Sequence, residues 1–251
     1  MNEQPTSESG DAHRAGRRNA WILAVLLAGI SFCLWLISRE GASGTGPLIH
    51  YGLRVAMVVL CLMGWFRTQA MIGSRALRDG TITDSLHERT ERAHRYFRDR
   101  PETANRVLII SSAFIDAFGI FLILYGILGE SIRPFVALLI LFMFRQICQA
   151  VCALPAPRDM IWQNPGFPSL LVTYSVGNDF FFSGHTAIAM LGAFELAQIS
   201  PWLGAIGGII ALLEAFIVIA LRAHYTIDVL GAIAATWCAV SLSNLLVATG
   251  L

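Results

Sequence analysis

The 251-residue chain contains no lysine, and all 18 of its basic residues are arginines. Charged residues make up only 14% of the chain and apolar residues 55%, whereas a soluble domain has roughly 25% charged and about 45–50% apolar residues. The few charges are concentrated in residues 1–20 and 67–106, which leaves long stretches almost uncharged. This distribution excludes an ordinary soluble domain and predicts a chain that crosses a membrane several times.

Further absences narrow the class of protein. The net charge is +1 and no basic patch is interleaved with aromatic residues, which argues against nucleic-acid binding. The first apolar run has no small-residue cleavage site after it, so we expect a retained span and not a signal peptide. No cysteine lies in a loop, so we expect packing residues and no disulfide framework. The cysteines are Cys33, Cys61, Cys148, Cys152 and Cys238.

Seven apolar segments approach the roughly 20 residues that a helix needs to cross a bilayer. They are Trp21–Ser38, Leu48–Phe66, Val107–Leu128, Pro134–Leu154, Phe182–Ile199, Trp202–Leu221 and Tyr225–Val247. His50 and Arg54 interrupt the second segment, so six spans result if that segment only lies on the surface. The short connections predict antiparallel neighbours. The sequence therefore predicts an all-α, polytopic transmembrane helical bundle of six or seven spans.

The charge pattern divides the chain into four regions. We expect a polar N-terminal leader in residues 1–19, one or two spans in 20–66, an Arg-rich segment in 67–106, and a membrane domain in 107–250. No internal repeat is present, which argues against a transporter built from repeated halves.

Residues 81–100 predict an amphipathic helix that lies along the headgroup layer. His87 and His94 are seven residues apart on this helix and could suggest a metal site. Because no third ligand follows at helical spacing, we interpret them as part of a solvated face. The apolar stripe consists of Ile82, Leu86, Ala93 and Phe97.

Two polar motifs stand where a loop enters an apolar segment. They are Asp179-Phe-Phe-Phe-Ser-Gly-His-Thr186 and His224-Tyr-Thr-Ile-Asp228. Because the direction of successive spans alternates, both motifs are expected on the same membrane face. His224 and Asp228 are four residues apart on one helix face, so the carboxylate can hold one ring nitrogen and leave the other free to attack.

The first motif supplies complementary groups. Ser183 and Gly184 open the helix that carries His185, and unpaired N–H groups at such a helix start can bind a phosphate oxygen. A nucleophile, an orienting acid and a second histidine for the leaving group are a complete set for phosphoryl transfer without a metal or another cofactor. The alternative is two unrelated histidines that are hydrogen-bonded to their neighbours.

Three charges lie within predicted spans, seven to nine residues from the face that carries the motifs. They are Asp116, Arg145 and Glu214, about 10–14 Å deep at 1.5 Å per residue. Charge at such depth is usually paired or functional. One hypothesis is that Arg145 pairs with Asp116 or Glu214 beneath the site, and the alternative is a purely structural network. The charge of a bound phosphate would be met by Arg145, Arg158 and Arg222.

The motifs also carry a resemblance. Ser183-Gly-His-Thr186 and His224-Tyr-Thr-Ile-Asp-Val229 resemble the catalytic motifs of the sphingomyelin synthase family, a branch of the type 2 phosphatidic acid phosphatase superfamily. Arg145 followed by Leu154-Pro-Ala-Pro157 is similar to the segment that precedes the first motif in that family. Asp179 matches an Asp of a further motif, although Gly177-Asn-Asp179 replaces the usual Cys-Gly-Asp. The likeness covers residues 107–247.

The resemblance implies a six-helix core, a phosphohistidine intermediate and no metal. It makes His224 the nucleophile, Asp228 its partner and His185 the acid–base. Four further residues match positions in the family's motifs. The superfamily's Lys-x6-Arg-Pro motif is missing, and Val218 stands where that superfamily has an Arg, so the chain is closer to the synthase branch. The synthases' Pro-Pro-Leu-Pro-Asp motif is not recognisable. The further matched positions are Asp179, Ser183, Gly184 and Arg145.

The expected activity is transfer of a headgroup from a phospholipid donor to a lipid hydroxyl such as that of ceramide or diacylglycerol. The alternatives are a lipid phosphate phosphatase or phospholipase C-like hydrolase with water as acceptor, and a non-catalytic lipid-binding membrane protein. We expect an integral protein of a bacterial plasma (inner) membrane. The arginines of residues 67–106 place the active site in the cytoplasm by the positive-inside rule, whereas the resemblance implies the opposite side, so both orientations stay open.

Overall fold

The structure is a computed structural model that describes residues 47–73, 82–152, 154–166, 168–172, 174 and 180–249. Within these ranges the chain forms eight α-helices and no strand, which confirms the all-helical class there. The leader, the predicted span Trp21–Ser38 and Asp179 lie outside the described residues. The helices are α1 (Pro47–Gly73), α2 (Ser85–Arg89), α3 (Glu91–Arg98), α4 (Pro101–Leu128), α5 (Arg133–Val151), α6 (Gly184–Ile199), α7 (Pro201–Ala220) and α8 (Thr226–Ala248).

The chain divides into two compact units. The described part of the first unit is α1 up to Thr68, and the second unit runs from Gln69 to Gly250. The second unit contains both histidine motifs.

Five of the described helices are long and apolar enough to cross a membrane, the pattern of a polytopic helical membrane protein. The predicted span Phe182–Ile199 is the helix α6, which begins at Gly184 and has 16 residues. At 1.5 Å per residue it is about 24 Å long, less than the roughly 30 Å of a hydrocarbon core. The five longer segments are Leu48–Met71, Pro101–Leu128, Arg133–Val151, Pro201–Ala220 and Thr226–Ala248.

Helix α4 begins six residues before the predicted start at Val107. Pro101 occupies the first turn, where its missing N–H group and fixed φ suit a helix start. Glu102 and Arg106 therefore belong to the first turns of a membrane helix and not to the connecting segment.

Helix α6 is the central helix of the second unit, since it packs against α4, α5, α7 and α8. Small residues bring α7 especially close to it. A Cβ atom at Gly204 would lie 2.5 Å from the Cβ of Ala197, and one at Gly207 would lie 2.9 Å from the Cα of Ala193. Glycine at these positions lets the two backbones approach, as is common between membrane helices.

The end of α6 that is remote from His185 is held by an ion pair. Arg133, at the start of α5, contacts the carboxylate of Glu195. The side chain of Glu195 is completely buried and that of Arg133 is 18% exposed. An unpaired carboxylate at this position would be strongly unfavourable, so the pair fixes α5 against α6.

Residues 169–171, between α5 and α6, lie against the middle of α4. Asp116, halfway along α4, accepts hydrogen bonds from the Ser169 hydroxyl at 3.0 Å and from the N–H groups of Leu170 and Leu171, both at 2.8 Å. Non-helical backbone at membrane depth is tolerated only where the protein satisfies its polar groups. The carboxylate of Asp116 supplies these acceptors.

Helices α2 and α3 form an almost continuous helix against the turn between α7 and α8. Thr90 joins them, because its C=O accepts a hydrogen bond from the N–H of His94 at 2.9 Å. Two histidine side chains reach backbone carbonyls, one in the turn and one at the last residue of α7. His87 Nε2 is 2.9 Å from the carbonyl oxygen of His224, and His94 Nδ1 is 3.0 Å from that of Ala220.

The expectation that His87 and His94 lie on a solvated face is wrong, since they are only 8% and 1% exposed. The residues expected to be on the apolar stripe are more accessible, with Ile82 43% and Leu86 36% exposed. The physical reason is that the turn offers backbone carbonyl acceptors. A ring N–H that finds such an acceptor can be buried without losing a hydrogen bond.

Replacing Arg133 with Met should reduce the free energy of unfolding by about 3–5 kcal/mol, because it leaves Glu195 as an unpaired buried carboxylate. The double variant Arg133→Met/Glu195→Leu should recover most of this loss, since neither charge then needs to be desolvated. Denaturant titration of the purified protein in detergent measures both effects. A single variant as stable as the wild type would contradict the role assigned to the ion pair.

Burial lowers the pKa of His94 below its ordinary value of 6.5. The hydrogen bond to Ala220 raises the pKa, Arg222 lowers it, and the neighbours Glu91 and Arg98 have smaller opposing effects. Because the unfolded chain binds this proton more tightly, the stability that His94 contributes is complete above pH 6.5. It is lost progressively as the pH falls below 6.5 towards the folded-state pKa.

We therefore expect the unfolding midpoint to fall between pH 7.5 and pH 5.5 by more in the wild type than in His94→Asn. The amide introduced by this substitution does not titrate and can donate to the same carbonyl oxygen. Thermal unfolding in detergent at a series of pH values makes the comparison. Identical pH dependence in the two proteins would show that His94 is not the titrating group.

Candidate active site

His224 lies in the turn before α8, and Asp228 lies in the first turn of that helix. The Nδ1 atom of His224 is 3.4 Å from Oδ2 of Asp228, and the same oxygen accepts the N–H of Tyr225 at 2.8 Å. His224 is 8% exposed and Asp228 is fully buried. A carboxylate that accepts the proton on Nδ1 leaves Nε2 with a free lone pair.

The turn that carries His224 ends α7 with a Schellman motif. The N–H of Arg222 bonds to the C=O of Ile219 at 3.0 Å, and that of Ala223 bonds to the C=O of Val218 at 2.8 Å. Arg222 has a φ of +54°, in the left-handed region where such motifs usually have glycine. Its guanidinium is bound to Glu91, which gives a reason for a side chain in that conformation.

His185 is the second residue of α6 and is 7% exposed. Its Nε2 atom is buried and has no hydrogen-bond partner among the described residues. The ring packs edge-on against Trp162 with the centroids 5.2 Å apart, and it lies within electrostatic range of His224 and Arg145. Buried polar atoms are normally bonded, so this nitrogen is available to a substrate.

Ser183 joins the two motifs directly. Its Oγ caps α6 by accepting the N–H of Thr186 at 3.4 Å, and its own N–H donates to the C=O of Asp228 at 3.1 Å. The expected meeting of the two helix ends on one face is therefore observed. The bond holds the start of α6 against the first turn of α8.

Arg145 extends from α5 to the start of α6. Its Nε donates to the C=O of Phe182 at 3.2 Å, and its Nη1 donates to the amide oxygens of Gln69 and Gln149, also at 3.2 Å. A Cβ atom at Gly184 would lie 3.5 Å from the same Nε. The guanidinium is thus placed beside the first turn of α6.

The predicted pairing of Arg145 with Asp116 or Glu214 is wrong. Glu214 accepts a hydrogen bond from the Ser111 hydroxyl at 2.5 Å, and Asp116 binds residues 169–171. Both carboxylates thus accept hydrogen bonds from uncharged donors. Arg145 instead points to the start of α6. Similar depth in the membrane did not imply that the side chains face one another.

Arg158 and Arg222 lie in a different place from Arg145. They line a polar pocket of about 410 Å³ beside α2 and α3, and neither His185 nor His224 is among its described lining residues. The phosphate-binding role of these two arginines stays a prediction. The pocket also contains the carboxylates of Asp84, Glu88 and Glu91.

Sequence reasoning missed the aromatic residues of the segment between α5 and α6. Trp162 contacts both His185 and Tyr174, the latter with ring centroids 5.0 Å apart. The hydroxyl of Tyr174 bonds to Ser112 of α4. This chain of contacts supports one side of the His185 ring, and no periodic pattern in the loop indicated it.

The family model described as AtPDCT1/2 matches residues 83–245. The chain is also similar to phosphatidylcholine:diacylglycerol cholinephosphotransferase 1 of Arabidopsis thaliana, with 24% identity over 140 residues. That match covers 55% of this chain and 45% of the relative, so the chain spans about half the length of the curated relative. No solved structure matches. Since the family model covers well over half of the sequence, the chain belongs to the AtPDCT1/2 family.

Proposed function

We propose that the protein transfers a phosphate-containing headgroup from a membrane phospholipid to the hydroxyl group of a second lipid. The observation that supports this most is the juxtaposition of two histidines with complementary environments. His224 is oriented by Asp228, whereas His185 has a buried nitrogen without a partner among the described residues. The hydrogen bond from Ser183 to Asp228 holds the two environments together.

In the first proposed step, Nε2 of His224 attacks the phosphorus atom of the donor lipid. A P–N bond forms, the bond between phosphorus and the diacylglycerol oxygen breaks, and His185 gives a proton to that oxygen. Asp228 stabilises the positive charge on His224 through Nδ1. Diacylglycerol leaves and the headgroup stays on His224 as a phosphohistidine.

In the second step, His185 accepts the proton of the acceptor hydroxyl, whose oxygen attacks phosphorus. The P–N bond breaks and the headgroup is transferred, which returns both histidines to their starting protonation states. Arg145 and the N-terminus of α6 are suited to stabilise the negative charge on the phosphate oxygens. These steps use only side chains and backbone groups of this chain.

The Arabidopsis relative is named for phosphatidylcholine as donor and diacylglycerol as acceptor. We propose the same pair for this protein, with ceramide as the alternative acceptor. With water as acceptor, the same residues would produce a hydrolase that releases phosphocholine. The membrane location follows from the apolar helices, and we propose a bacterial plasma membrane.

The test uses purified protein in vesicles that contain headgroup-deuterated phosphatidylcholine and a diacylglycerol with distinct acyl chains. Mass spectrometry should detect the deuterated headgroup on the new acyl chains. His224→Ala should abolish the exchange, and His185→Ala should reduce it by roughly 10²–10⁴-fold, because a positioned acid–base contributes about that much. His50→Ala, which removes a histidine from α1, serves as the control.

The products distinguish the candidate functions. Labelled ceramide headgroups in vesicles that contain ceramide would make ceramide the acceptor, and free phosphocholine would make water the acceptor. Turnover that survives in His224→Ala would exclude the proposed nucleophile. If the wild type moved no headgroup in any of these mixtures, a non-catalytic lipid-binding role would replace the proposal.

An apolar groove beside the site is a candidate binding site for an acyl chain of the lipid substrate. A cavity of about 350 Å³ runs between α6, α7 and α8, and Thr186, the residue after His185, lies at one end. Its walls are almost entirely apolar, and a Cβ atom at Gly208 would meet nothing within 4 Å. We propose that an acyl chain of the substrate lies in this groove.

Replacing Gly208 with Leu should fill part of the groove, because the space around the Cβ position is open. We expect KM for long-chain phosphatidylcholine to rise about tenfold, since a pocket distinguishes roughly 1–3 kcal/mol per methylene, whereas a short-chain donor should be affected much less. Ala205→Leu places the same leucine side chain at an exposed position of the same helix outside the groove. Equal effects of the two variants on the long-chain donor would contradict the assignment.

A further inference from the structure

The segment from Asp84 to His94 contacts the turn that carries His224 in antiparallel order. At one end, the Asp84 carboxylate accepts the N–H of Thr226 at 2.6 Å and its hydroxyl at 2.7 Å. Next, His87 donates from Nε2 to the C=O of His224 at 2.9 Å. These contacts reach the residue proposed as nucleophile and the first residue of α8.

The same order continues along α3. Glu91 is bound to the guanidinium of Arg222, and His94 donates from Nδ1 to the C=O of Ala220 at 3.0 Å. The four side chains are separated by three, four and three residues, the spacing of one helix face. We call them the polar clamp: Asp84, His87, Glu91 and His94.

We propose that the polar clamp is a positioning element of the active site, which fixes the backbone of the turn and thereby the imidazole of His224. Its consequence for catalysis rests on the proposed function of His224. The clamp residues contact the turn and the helix ends on either side of it, and not the reacting atoms. His87 is the central member, because it bonds to the backbone of His224 itself.

The turn needs such support for a physical reason. It lies outside both helices, and Arg222 holds it in a left-handed conformation that is unfavourable for a residue with a Cβ atom. His87 supports the turn in two ways, because its ring also stacks on that of Tyr225 with the centroids 5.6 Å apart and the planes 26° apart. A displacement of about 1 Å at a reacting group can cost roughly 10²-fold in rate.

The charge state of Asp84 suits its place in the polar clamp. Burial alone raises the pKa of Asp84, but the hydrogen bonds from Thr226 and Leu86 and the nearby His87 outweigh it, and the pKa lies below the ordinary value of 3.8. The carboxylate is therefore ionised at neutral pH and keeps its full strength as an acceptor for the turn.

The test compares three variants at two neighbouring positions. His87→Leu removes the donor, whereas His87→Gln keeps a donor near the position of Nε2. Arg89→Leu changes an exposed residue of the same helix and is the control. In the headgroup-transfer assay we expect His87→Leu to lower kcat about 10- to 100-fold with KM changed less than about twofold, because substrate contacts remain. His87→Gln should recover most of kcat, and Arg89→Leu should match the wild type.

Hydrogen–deuterium exchange of the turn gives a readout that does not require activity. We expect amides in residues 222–226 to exchange faster in His87→Leu, while those of α4 stay as in the wild type. His87→Gln should restore the slow exchange. This pattern would support the polar clamp even if no lipid were turned over. In that case the missing turnover would contradict the proposed function and not the polar clamp.

Three results would overturn the proposal. Unchanged exchange of residues 222–226 in His87→Leu would show that the contact does not hold the turn. Equally accelerated exchange in α4 would show a general loss of stability, without a specific effect on the position of His224. A parallel rise of KM with the fall of kcat would assign His87 to substrate binding and not to positioning.

Discussion

The hydrogen bond from the Ser183 N–H to the Asp228 C=O is the interaction on which the site depends. It links the residue that caps α6 to the first turn of α8, at 3.1 Å. A donor at a helix start has no partner within its own helix, and leaving a buried donor unsatisfied costs about 1–3 kcal/mol. Two motifs that lie about forty residues apart in sequence are thereby held at a fixed separation, which a two-histidine mechanism requires.

The same requirement for partners explains the charges inside the bundle. Glu195 is bound to Arg133, Glu214 to Ser111, and Asp116 to the Ser169 hydroxyl and the N–H groups of Leu170 and Leu171. Each of these carboxylates therefore has a partner within the protein, because an unpaired charge inside the bundle would be unfavourable. In the candidate site, Nε2 of His185 and Oδ1 of Asp228 are buried atoms without a hydrogen-bond partner among the described residues.

The sequence predicted the helices and the meeting of the two motifs because both follow from one-dimensional information. Apolar length marks a membrane helix, and short turns make neighbours antiparallel. Asp228 contacts His224 as predicted, although His224 lies in the turn before α8 and not on a face of the helix itself. The rotation of a helix about its axis is not given by these patterns. For that reason Arg145 was assigned to Asp116 or Glu214, although it faces Phe182 and two glutamines.

His87 and His94 show a second limit of sequence reasoning. Their acceptors are backbone carbonyls 137 and 126 residues away, and no side-chain pattern marks a carbonyl. The polar residues Asp84, His87, Glu91 and His94 recur at intervals of three, four and three, but this spacing alone does not distinguish a solvated face from a buried one. The segment between α5 and α6 lacks any periodicity, so the contact of Trp162 with His185 had no signal in the sequence.

These contacts connect residues before position 107 to the turn that carries His224. A boundary at residue 107 follows the hydropathy, but it separates His87 from the turn of His224 and divides α4, which begins at Pro101. The family match begins at residue 83, next to Asp84. Residues 84–94 are therefore tied by hydrogen bonds to the turn that carries His224 and to the helix ends beside it. These bonds, and not only attraction to the membrane, determine where this segment lies. The number of arginines in it is therefore weak evidence for the orientation of the site.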